Sequence, residues 1–343
     1  MSIFVRSGGL LTTVQDEGRY GYQQYGVMVS GPMDERAFLL ANILVGNDAC
    51  EAELEVTLMG PILEFEEDNI IAVTGADLTP VLNGNPFPMY EAVTVRKGDI
   101  LSFQGVKSGC RAYIAFAGGL DIPLVMGSRS TLLRAGFGGF KGRKLEAGDR
   151  LPFRNPAATL CGMPGRRITA ENNYSGSVAL RVVPGPQEDR FTQTGLKTFF
   201  SETYQIGAEN DRMGYRLEGP AVEHKTDGNI ITDGIAMGAV QIPSGGKPII
   251  MMADRQCTGG YTKIANVIRA DLPRLAQCKT GDRVRFVPVT VEEAQELFRK
   301  ERRNLRQIRE RLSVPRRVIS SKTFQLIING TAYSVQVDEK EEI

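Results

Sequence analysis

Short runs of β-branched and apolar residues, each bounded by turn-forming residues, constrain the fold of this chain more than any other feature. Val, Ile and Thr favour extended backbone, whereas Gly, Asn, Asp and Pro interrupt it. Because the runs follow one another without a regular alternation of helices, they favour sandwiches or barrels over a βαβ fold. We therefore predict a mainly β protein. The clearest runs are "NIIAVTGAD", "EAVTVRKGDILSF", "CRAYIAFAGGLD", "SVALRVVPGPQ" and "KPIIMMAD".

An internal similarity predicts that the β structure occurs twice. Residues 58–77 align with residues 217–236, and each half then reaches a Gly-Asp pair that opens a strand, at 97–103 and at 280–286. A third Gly-Asp strand lies at 147–153. One such turn is a common device, but two landmarks in the same order favour two related β-barrels.

The second half has the longer interval between its landmarks. It spans 62 positions from Gly219 to Gly281, against 38 from Gly60 to Gly98. The segment 254–265, "DRQCTGGYTKIA", lies in this surplus. Because added segments on a rigid scaffold often carry binding and catalytic residues, we expect a site here.

Two helices are predicted before the long one, and only the second of them is short. The first follows Gly31-Pro32, with Pro32 at its first position, and stops at Gly46-Asn47. The second begins near Asp271.

A long helix is predicted over residues 291–312, where Thr290 and Glu293 form a capping box. It carries seven Lys or Arg between Arg299 and Arg311. We interpret it as a solvated helix packed on the body, with partner docking and nucleic-acid binding as the alternatives. Its apolar stripe comprises Val291, Ala294, Leu297, Phe298, Leu305, Ile308 and Leu312.

The chain's last segment predicts a β-hairpin. Phe324, Leu326 and Ile328 alternate with polar residues up to Asn329-Gly330, and a second alternating run begins at Tyr333. An Asn-Gly pair between two alternating runs is a strong hairpin signal.

Composition excludes several classes of protein. The formal net charge of +1 gives no overall attraction to nucleic acid or to an anionic membrane. Five scattered cysteines without a C-x-x-C and a single histidine disfavour a disulfide framework and a metal centre. The first 21 residues contain no apolar core of 7–15 residues, so we do not expect a secretory signal, and no run approaches the roughly 20 apolar residues of a membrane span. We expect a soluble, cytoplasmic protein without a metal site.

Nucleotide-binding motifs are absent from the sequence. There is no Walker loop, and "GFGGFKG" at 136–142 places its third glycine one position late for a dinucleotide fingerprint. The surrounding segment nevertheless has several Arg and Lys residues next to glycines, whose backbone amides are free to bind an anion, so it predicts an anion nest. The alternative is a surface loop whose cations are solvated. The cations assigned to anion or nucleotide binding are Arg129, Arg134, Lys141 and Arg143.

His224 is the only histidine of the chain, and Asp227 and Asp233 are close to it in sequence. A histidine beside a carboxylate can hold one tautomer and move a proton near neutral pH. The alternative is a packed histidine without a catalytic role. No G-x-S-x-G motif supports a serine hydrolase.

The segment 254–265 combines groups that suit an amide. Asp254 and Lys263 can form an acid–base or ion pair, and Gln256 can both donate to and accept from an amide. Tyr261 can donate to a developing oxyanion, and Gly259-Gly260 allows close approach or a sharp turn. These groups favour a lactam, amide or ureido ligand. The alternative is a buried ion pair followed by a glycine bend.

Long motifs of the chain resemble the biotin-dependent carboxyltransferase family, and within it the free-standing members that take part in 5-oxoprolinase complexes. The resemblance covers roughly residues 1–290 and leaves the terminal hairpin unmatched. The motifs are "GLLTTVQDEGRYGYQQYGVMVSGPMDERAFLLANILVGN", "GSRSTLLRAGFGGFKGR", "VVPGPQ", "DRMGYRLEGP", "TDGIAMGAVQIPSGGKPIIMMADRQCTGGYTKIANVIRADLPRLAQ" and "TGDRVRF".

The resemblance implies two cyclophilin-like β-barrels. We therefore expect barrel domains at 1–175 and 176–290, followed by a helix-and-hairpin extension at 291–343.

The resemblance also implies a heteromeric enzyme complex with two partner proteins, the KipI-like B component and the A component of 5-oxoprolinase. Together they convert 5-oxo-L-proline, ATP and water to L-glutamate, ADP and phosphate, so ATP with Mg²⁺ is the expected cofactor. No biotin is expected on this chain. The related domain of urea carboxylase moves a carboxyl group from carboxybiotin to urea. Lactam, urea and biotin each place an N–H beside a C=O, which agrees with the groups of segment 254–265.

Two residues of segment 254–265 depart from the family's usual "QTTGGYPKIA": Cys257 replaces Thr and Thr262 replaces Pro. Thr262 lacks the fixed φ of proline. The positions that match the family's site imply catalytic roles for Asp254, Lys263, His224 and Tyr261, and substrate binding by Gln256, Gly259, Gly260, Arg212 and Asp233.

We therefore expect a component of an ATP-dependent 5-oxoprolinase. Two alternatives stay open at this point. One is a carboxyltransferase component that acts on a urea-like substrate with carboxybiotin from a separate carrier. The other is a regulatory protein that binds a KipI-like kinase inhibitor through its surface.

Overall fold

The structure is a computed structural model that describes residues 2–163, 165–169, 174–313, 318–328 and 331–340. Strands account for most of its regular structure, so the prediction of a mainly β protein is confirmed. The described residues contain no helix that is long and apolar enough to span a membrane.

The first half of the chain folds into two sheets that share one apolar core. The core includes Val5 and Leu63 from one sheet and Val73 and Ile114 from the other. The strands are β1 Ser2–Ser7, β2 Leu11–Gln15, β3 Glu53–Thr57, β4 Ile62–Phe65, β5 Asn69–Asp77, β6 Pro80–Leu82, β7 Asn85–Pro86, β8 Val93–Val95, β9 Ile100–Phe103, β10 Ser108–Phe116 and β11 Arg150–Pro152. The six-stranded sheet has the order β11-β1-β4-β9-β6-β7, and the five-stranded sheet has the order β2-β3-β10-β5-β8.

The second half folds into one sheet of eight strands. They are β12 Ser177–Pro184, β13 Tyr204–Asn210, β14 Gly214–Glu218, β15 Asn229–Gly234, β16 Ala239–Ile242, β17 Ile249–Met251, β18 Thr258–Val267 and β19 Arg283–Pro288. Their order is β12-β19-β13-β14-β17-β16-β18-β15. Because β12 pairs with β18 as well as with β19, seven of the eight strands form a closed ring of pairings. The strand β15 lies outside this ring. The cyclophilin-like form of the sheets and the domain boundaries stay predictions.

Four α-helices occur in the described residues: α1 Glu35–Leu44, α2 Gln193–Ser201, α3 Leu272–Ala276 and α4 Val291–Ser313. The helix α1 begins after Asp34, whose carboxylate accepts a hydrogen bond from the Ala37 amide at 2.9 Å, and not at Pro32 as predicted. Helix α2 was not predicted from the sequence, although Thr192 caps it.

The long helix α4 has the predicted capping box. The Glu293 amide donates to Thr290 Oγ1 at 3.1 Å, and the Thr290 amide donates to Glu293 Oε2 at 2.8 Å. Leu305 and Leu312 are buried in the same apolar cluster as α1, whereas Val291 is 51% exposed. The predicted stripe therefore packs on the body along the later turns of the helix.

The three Gly-Asp turns predicted from the sequence share one geometry. Their glycines have φ values of 90°, 93° and 91°, a region that favours glycine. In each turn the aspartate carboxylate accepts the amide N–H three residues earlier, at 2.6, 2.9 and 3.0 Å. Each turn also exchanges two backbone hydrogen bonds with a neighbouring strand. The turns are Gly98-Asp99, Gly148-Asp149 and Gly281-Asp282, and their respective strand partners are Phe65, Val5 and Ile206.

The strands that bind these turns do not occupy equivalent positions relative to the two aligned segments, 58–77 and 217–236. Phe65 lies inside residues 58–77, whereas Ile206 precedes residues 217–236. The element that recurs is therefore a Gly-Asp turn bonded to a neighbouring strand, and it occurs at these three places in the described residues.

The predicted hairpin is present as β20 Val318–Ile328 and β21 Thr331–Lys340. Its turn, Asn329-Gly330, lies outside the described residues. Phe324 pairs with Val335 and Leu326 pairs with Tyr333, and these four side chains are between 36% and 50% exposed. The apolar face of the hairpin is therefore largely open.

Candidate functional site

The segment 254–265 leads into a strand and is not a loop. Most of it belongs to β18, which pairs with β15 on one side and β16 on the other. Gly259 and Gly260 are both part of this strand and neither has a positive φ, so the glycine bend that we considered does not occur. A Cβ at Gly259 would lie 2.6 Å from Ile235 Cδ1, whereas one at Gly260 would meet only Ile230 O at 3.5 Å. The open side of Gly260 therefore lies on the face of β18 that carries Thr262, opposite Gly259.

Lys263 is buried beside an exposed carboxylate. Only 3% of Lys263 is exposed, and its Nζ donates to Asp233 Oδ2 at 2.6 Å and to Gly234 O at 3.0 Å. The hydrogen bond from Lys263 is the main cause that holds the pKa of the Asp233 carboxyl below its ordinary value. This pair fixes an ammonium group at the edge where β15 meets β18, where it can stabilise negative charge on a ligand oxygen.

Gln187, which was not among the predicted site residues, holds the backbone of Lys263. The Lys263 amide donates to Gln187 Oε1 at 3.1 Å, and the backbone amide of Gln187 donates to Lys263 O at 3.3 Å. The signal for this residue was its place at the end of the motif "VVPGPQ".

Tyr261 and Gln256 are available to a ligand. Tyr261 is 42% exposed and lies two residues before Lys263, so both side chains share one face of β18. Gln256 is exposed just before the strand. Neither side chain has a hydrogen-bond partner within the described part of the chain.

His224 lies on the other face of β18. Its Nε2 is 3.0 Å from Thr262 Oγ1 and 3.1 Å from Ile242 O, and its ring packs on Phe191 at a centroid distance of 4.7 Å. Thr262 alternates with Lys263 along the strand, which separates the two side chains. The structure therefore does not bring the imidazole to the Lys263 ammonium group.

Arg212 and Asp254 form a buried ion pair where the two halves of the chain meet. Arg212 also binds Glu55 and donates to Gly31 O at 2.6 Å, so one guanidinium connects the two halves of the chain. Burial acts to raise the pKa of Glu55, but Arg212 and Arg111 hold it below its ordinary value. The pair supports the junction and the start of segment 254–265.

The four cations predicted to bind anions each have a partner within the chain, and two of them share one carboxylate. Arg129 donates to Ile122 O at 2.9 Å, and Arg134 donates to Met213 Sδ at 2.7 Å. Arg143 and Lys141 both lie near Asp149, at 2.7 and 3.8 Å.

The turn that contains Arg129 is ordered by Asp16. The Asp16 carboxylate accepts from the hydroxyls of Ser128 and Ser130, both at 2.6 Å, and from the Arg129 amide at 2.5 Å. Asp16 and Ser128 belong to two of the motifs that carry the family resemblance, so these motifs meet in space. The carboxylate is used to build this turn.

No group of three or more His, Cys, Asp or Glu side chains with metal-binding geometry is found among residues that the structure describes.

Comparison with known proteins supports the family resemblance. The sequence profile of the carboxyltransferase domain, subdomain A and B, matches residues 25–288. The C component of the Escherichia coli (strain K12) 5-oxoprolinase is 38% identical over 304 residues, which is 89% of this chain and 96% of that protein. The urea amidolyase of Saccharomyces cerevisiae is 34% identical over 84% of this chain and 17% of its own length.

Solved structures agree with these matches. The K. lactis urea amidolyase superposes with a TM-score of 0.83 at 32% identity, over 90% of this chain and 20% of that chain. The crystal structure of TTHA0988 superposes with a TM-score of 0.76 at 32% identity, over 83% of this chain and 55% of that chain. The chain therefore belongs to the family of carboxyltransferase domains that comprise subdomains A and B, and it is similar to the C component of 5-oxoprolinase over most of its length.

Proposed function

We propose that the chain is one component of an ATP-dependent 5-oxoprolinase complex. The observation that carries the proposal is the buried Lys263 ammonium group, fixed by Asp233 on the face of β18 that also carries Tyr261. The similarity to the C component of 5-oxoprolinase, which covers 96% of the Escherichia coli protein, supports the same assignment.

The proposed substrate is 5-oxo-L-proline, whose ring amide is a poor electrophile. The γ-phosphoryl group of ATP is transferred to the lactam oxygen, which forms an O–P bond and releases ADP. One water then adds to the ring carbon, the C–N bond breaks, and the nitrogen takes a proton, which gives γ-glutamyl phosphate. A second water hydrolyses this acyl phosphate to glutamate and phosphate. Phosphoryl transfer depends mainly on positioning and charge neutralisation.

Residues on β18 have separate roles in this proposal. Lys263 and Tyr261 stabilise the negative charge on the lactam oxygen. Gln256 binds the substrate amide or carboxylate. Asp254 and Arg212 hold the start of the segment, and His224 positions β18 through Thr262 from the opposite face.

The proposed complex contains two further proteins, the KipI-like B component and the A component. The three purified proteins are mixed with 5-oxo-L-proline, ATP and Mg²⁺, and glutamate and ADP are measured with and without this chain. Glutamate formation that requires all three proteins supports the proposal. Glutamate formed at the same rate without this chain refutes it and favours a regulatory role.

A second candidate function is carboxyl transfer to a urea-like substrate. The observation that favours it is the 32% identity and TM-score of 0.83 with the K. lactis urea amidolyase. The carboxybiotin would come from a separate carrier protein. Urea-dependent consumption of carboxybiotin by this chain, without glutamate formation in the complete mixture, would select this function.

A further inference from the structure

A large cavity lies between α1, α3, α4 and the segment 165–169. Its volume is about 940 Å³, which is enough for a small-molecule ligand. Among the described residues, its walls carry seven arginines against three acidic residues, an excess of four positive charges. It shares no lining residue with the site on β18, so substitutions of its arginines leave that site intact.

Most of these arginines are held by groups of the chain itself. Glu35 accepts from Arg269 at 2.8 and 2.9 Å and lies 3.5 Å from Arg302, while Glu301 pairs with Arg36. Arg166 is buried, and it donates to the backbone carbonyls of Ile43, Leu44, Cys161 and Leu312. Two of the three carboxylates of the cavity are therefore already used in ion pairs with arginines.

Arg167 and Arg311 are different, because both are exposed at the cavity and neither side chain has a hydrogen-bond or ion-pair partner among the residues described. They come from separate parts of the chain, since Arg167 lies in the segment 165–169 and Arg311 lies in the last turn of α4. Two unpaired guanidinium groups in a cavity of positive charge favour an anionic ligand.

Phosphate is the anion that matches this arrangement best. A guanidinium group presents a planar fork of N–H donors that binds phosphate oxygens in pairs. A single inorganic anion would occupy a small part of about 940 Å³, whereas a chain of phosphates spans more than one arginine. We propose that this cavity binds a small molecule with two or more phosphate groups through Arg167 and Arg311, with Arg302 as a further contact.

The proposal is tested by calorimetric titration of the purified full-length chain with pyrophosphate and, separately, with ATP. The variants are Arg167→Ala, Arg311→Ala and the double variant. The matched control is Arg306→Ala, since Arg306 is exposed on the same helix but does not line the cavity. Thermal unfolding of each variant shows whether its fold is retained.

The expected result is binding of both probes that weakens about tenfold or more in the double variant, as loss of charge-assisted hydrogen bonds implies, and is unchanged in the control. Higher salt should also weaken binding. Tighter binding of ATP than of pyrophosphate would extend the assignment to a nucleotide. Absence of binding at about 1 mM for both probes, or equal affinity in wild type and double variant, would overturn the proposal.

Discussion

Arg212 and Asp254 are joined by two hydrogen bonds, from Nε to Oδ2 at 3.0 Å and from Nη2 to Oδ1 at 3.1 Å. The same guanidinium binds Glu55 from the first half of the chain. All three residues are less than 9% exposed. The ion pair therefore fixes the junction of the two halves next to the proposed site.

Arg212→Ala should lower the free energy of unfolding by about 3–5 kcal/mol, because it leaves two buried carboxylates without their partner. Denaturant unfolding followed by circular dichroism measures this change. Arg6→Ala is the control, since Arg6 pairs with Glu64 at the surface and should cost less than about 1 kcal/mol. Equal losses in the two variants would show that the buried pair adds nothing to stability.

Gly260→Ala should leave both stability and activity nearly unchanged. A Cβ at this position meets only an ordinary contact at 3.5 Å, so the free energy of unfolding should change by about 0.5 kcal/mol or less. Residues 260 and 262 share the face of β18 opposite to Tyr261 and Lys263, so the added methyl group does not reach the proposed substrate and turnover in the assembled complex should stay near normal. Gly245→Ala, where a Cβ has nothing within 4 Å, is the matched control. A large loss of turnover in Gly260→Ala alone would place the substrate on the face of Thr262.

The pH dependence of stability should reflect Asp34. Burial raises the pKa of this carboxyl from 3.8 to about 6, against hydrogen bonds from Ala37 and Gln277. A raised folded-state pKa means that the folded chain holds the proton more tightly. The contribution of Asp34 to stability is therefore complete below about pH 4 and lost as the pH rises through about 6.

Replacing Asp34 by Ser keeps a helix-capping oxygen and removes this titration. The stability of wild type relative to Asp34→Ser should fall by roughly 2–4 kcal/mol between pH 4 and pH 7. Denaturant unfolding at several pH values gives this difference. A difference that is constant across the range would contradict the assignment.

Two phenylalanines should respond differently to truncation. Phe286 is 1% exposed and stacks on Phe199 at 4.2 Å, so Phe286→Ala should cost about 3–5 kcal/mol. Phe324 lies on the open face of the hairpin and is 47% exposed, so Phe324→Ala should cost less than about 1 kcal/mol. Denaturant unfolding measures the loss of stability in each variant. A large loss for Phe324→Ala would mean that the apolar face of the hairpin is covered.

Local features were predictable from sequence because they involve neighbouring residues. The capping box of Thr290 and Glu293 spans one helical turn, and each Gly-Asp turn closes over three residues. The Asp34 cap is also recognisable from the sequence, but the start of α1 was predicted at Pro32, which is too early.

Contacts between distant residues could not be predicted in the same way. Arg212 and Glu55 are 157 positions apart, and no local pattern links them. The glycine pair of segment 254–265 suggested a bend, whereas pairing with β15 and β16 keeps it extended. Only that extended strand reveals that His224 and Lys263 lie on opposite faces.

The most direct test of the proposed function is glutamate formation by the assembled complex with Lys263→Met in this chain. Methionine keeps an apolar stem in the buried position and removes the ammonium group. Lys247→Met is the control, since Lys247 pairs with Glu218 at the surface of the same half. We predict a loss of turnover of about 100-fold or more for Lys263→Met and near-normal turnover for the control. Near-normal glutamate formation by a correctly assembled Lys263→Met complex would contradict the account.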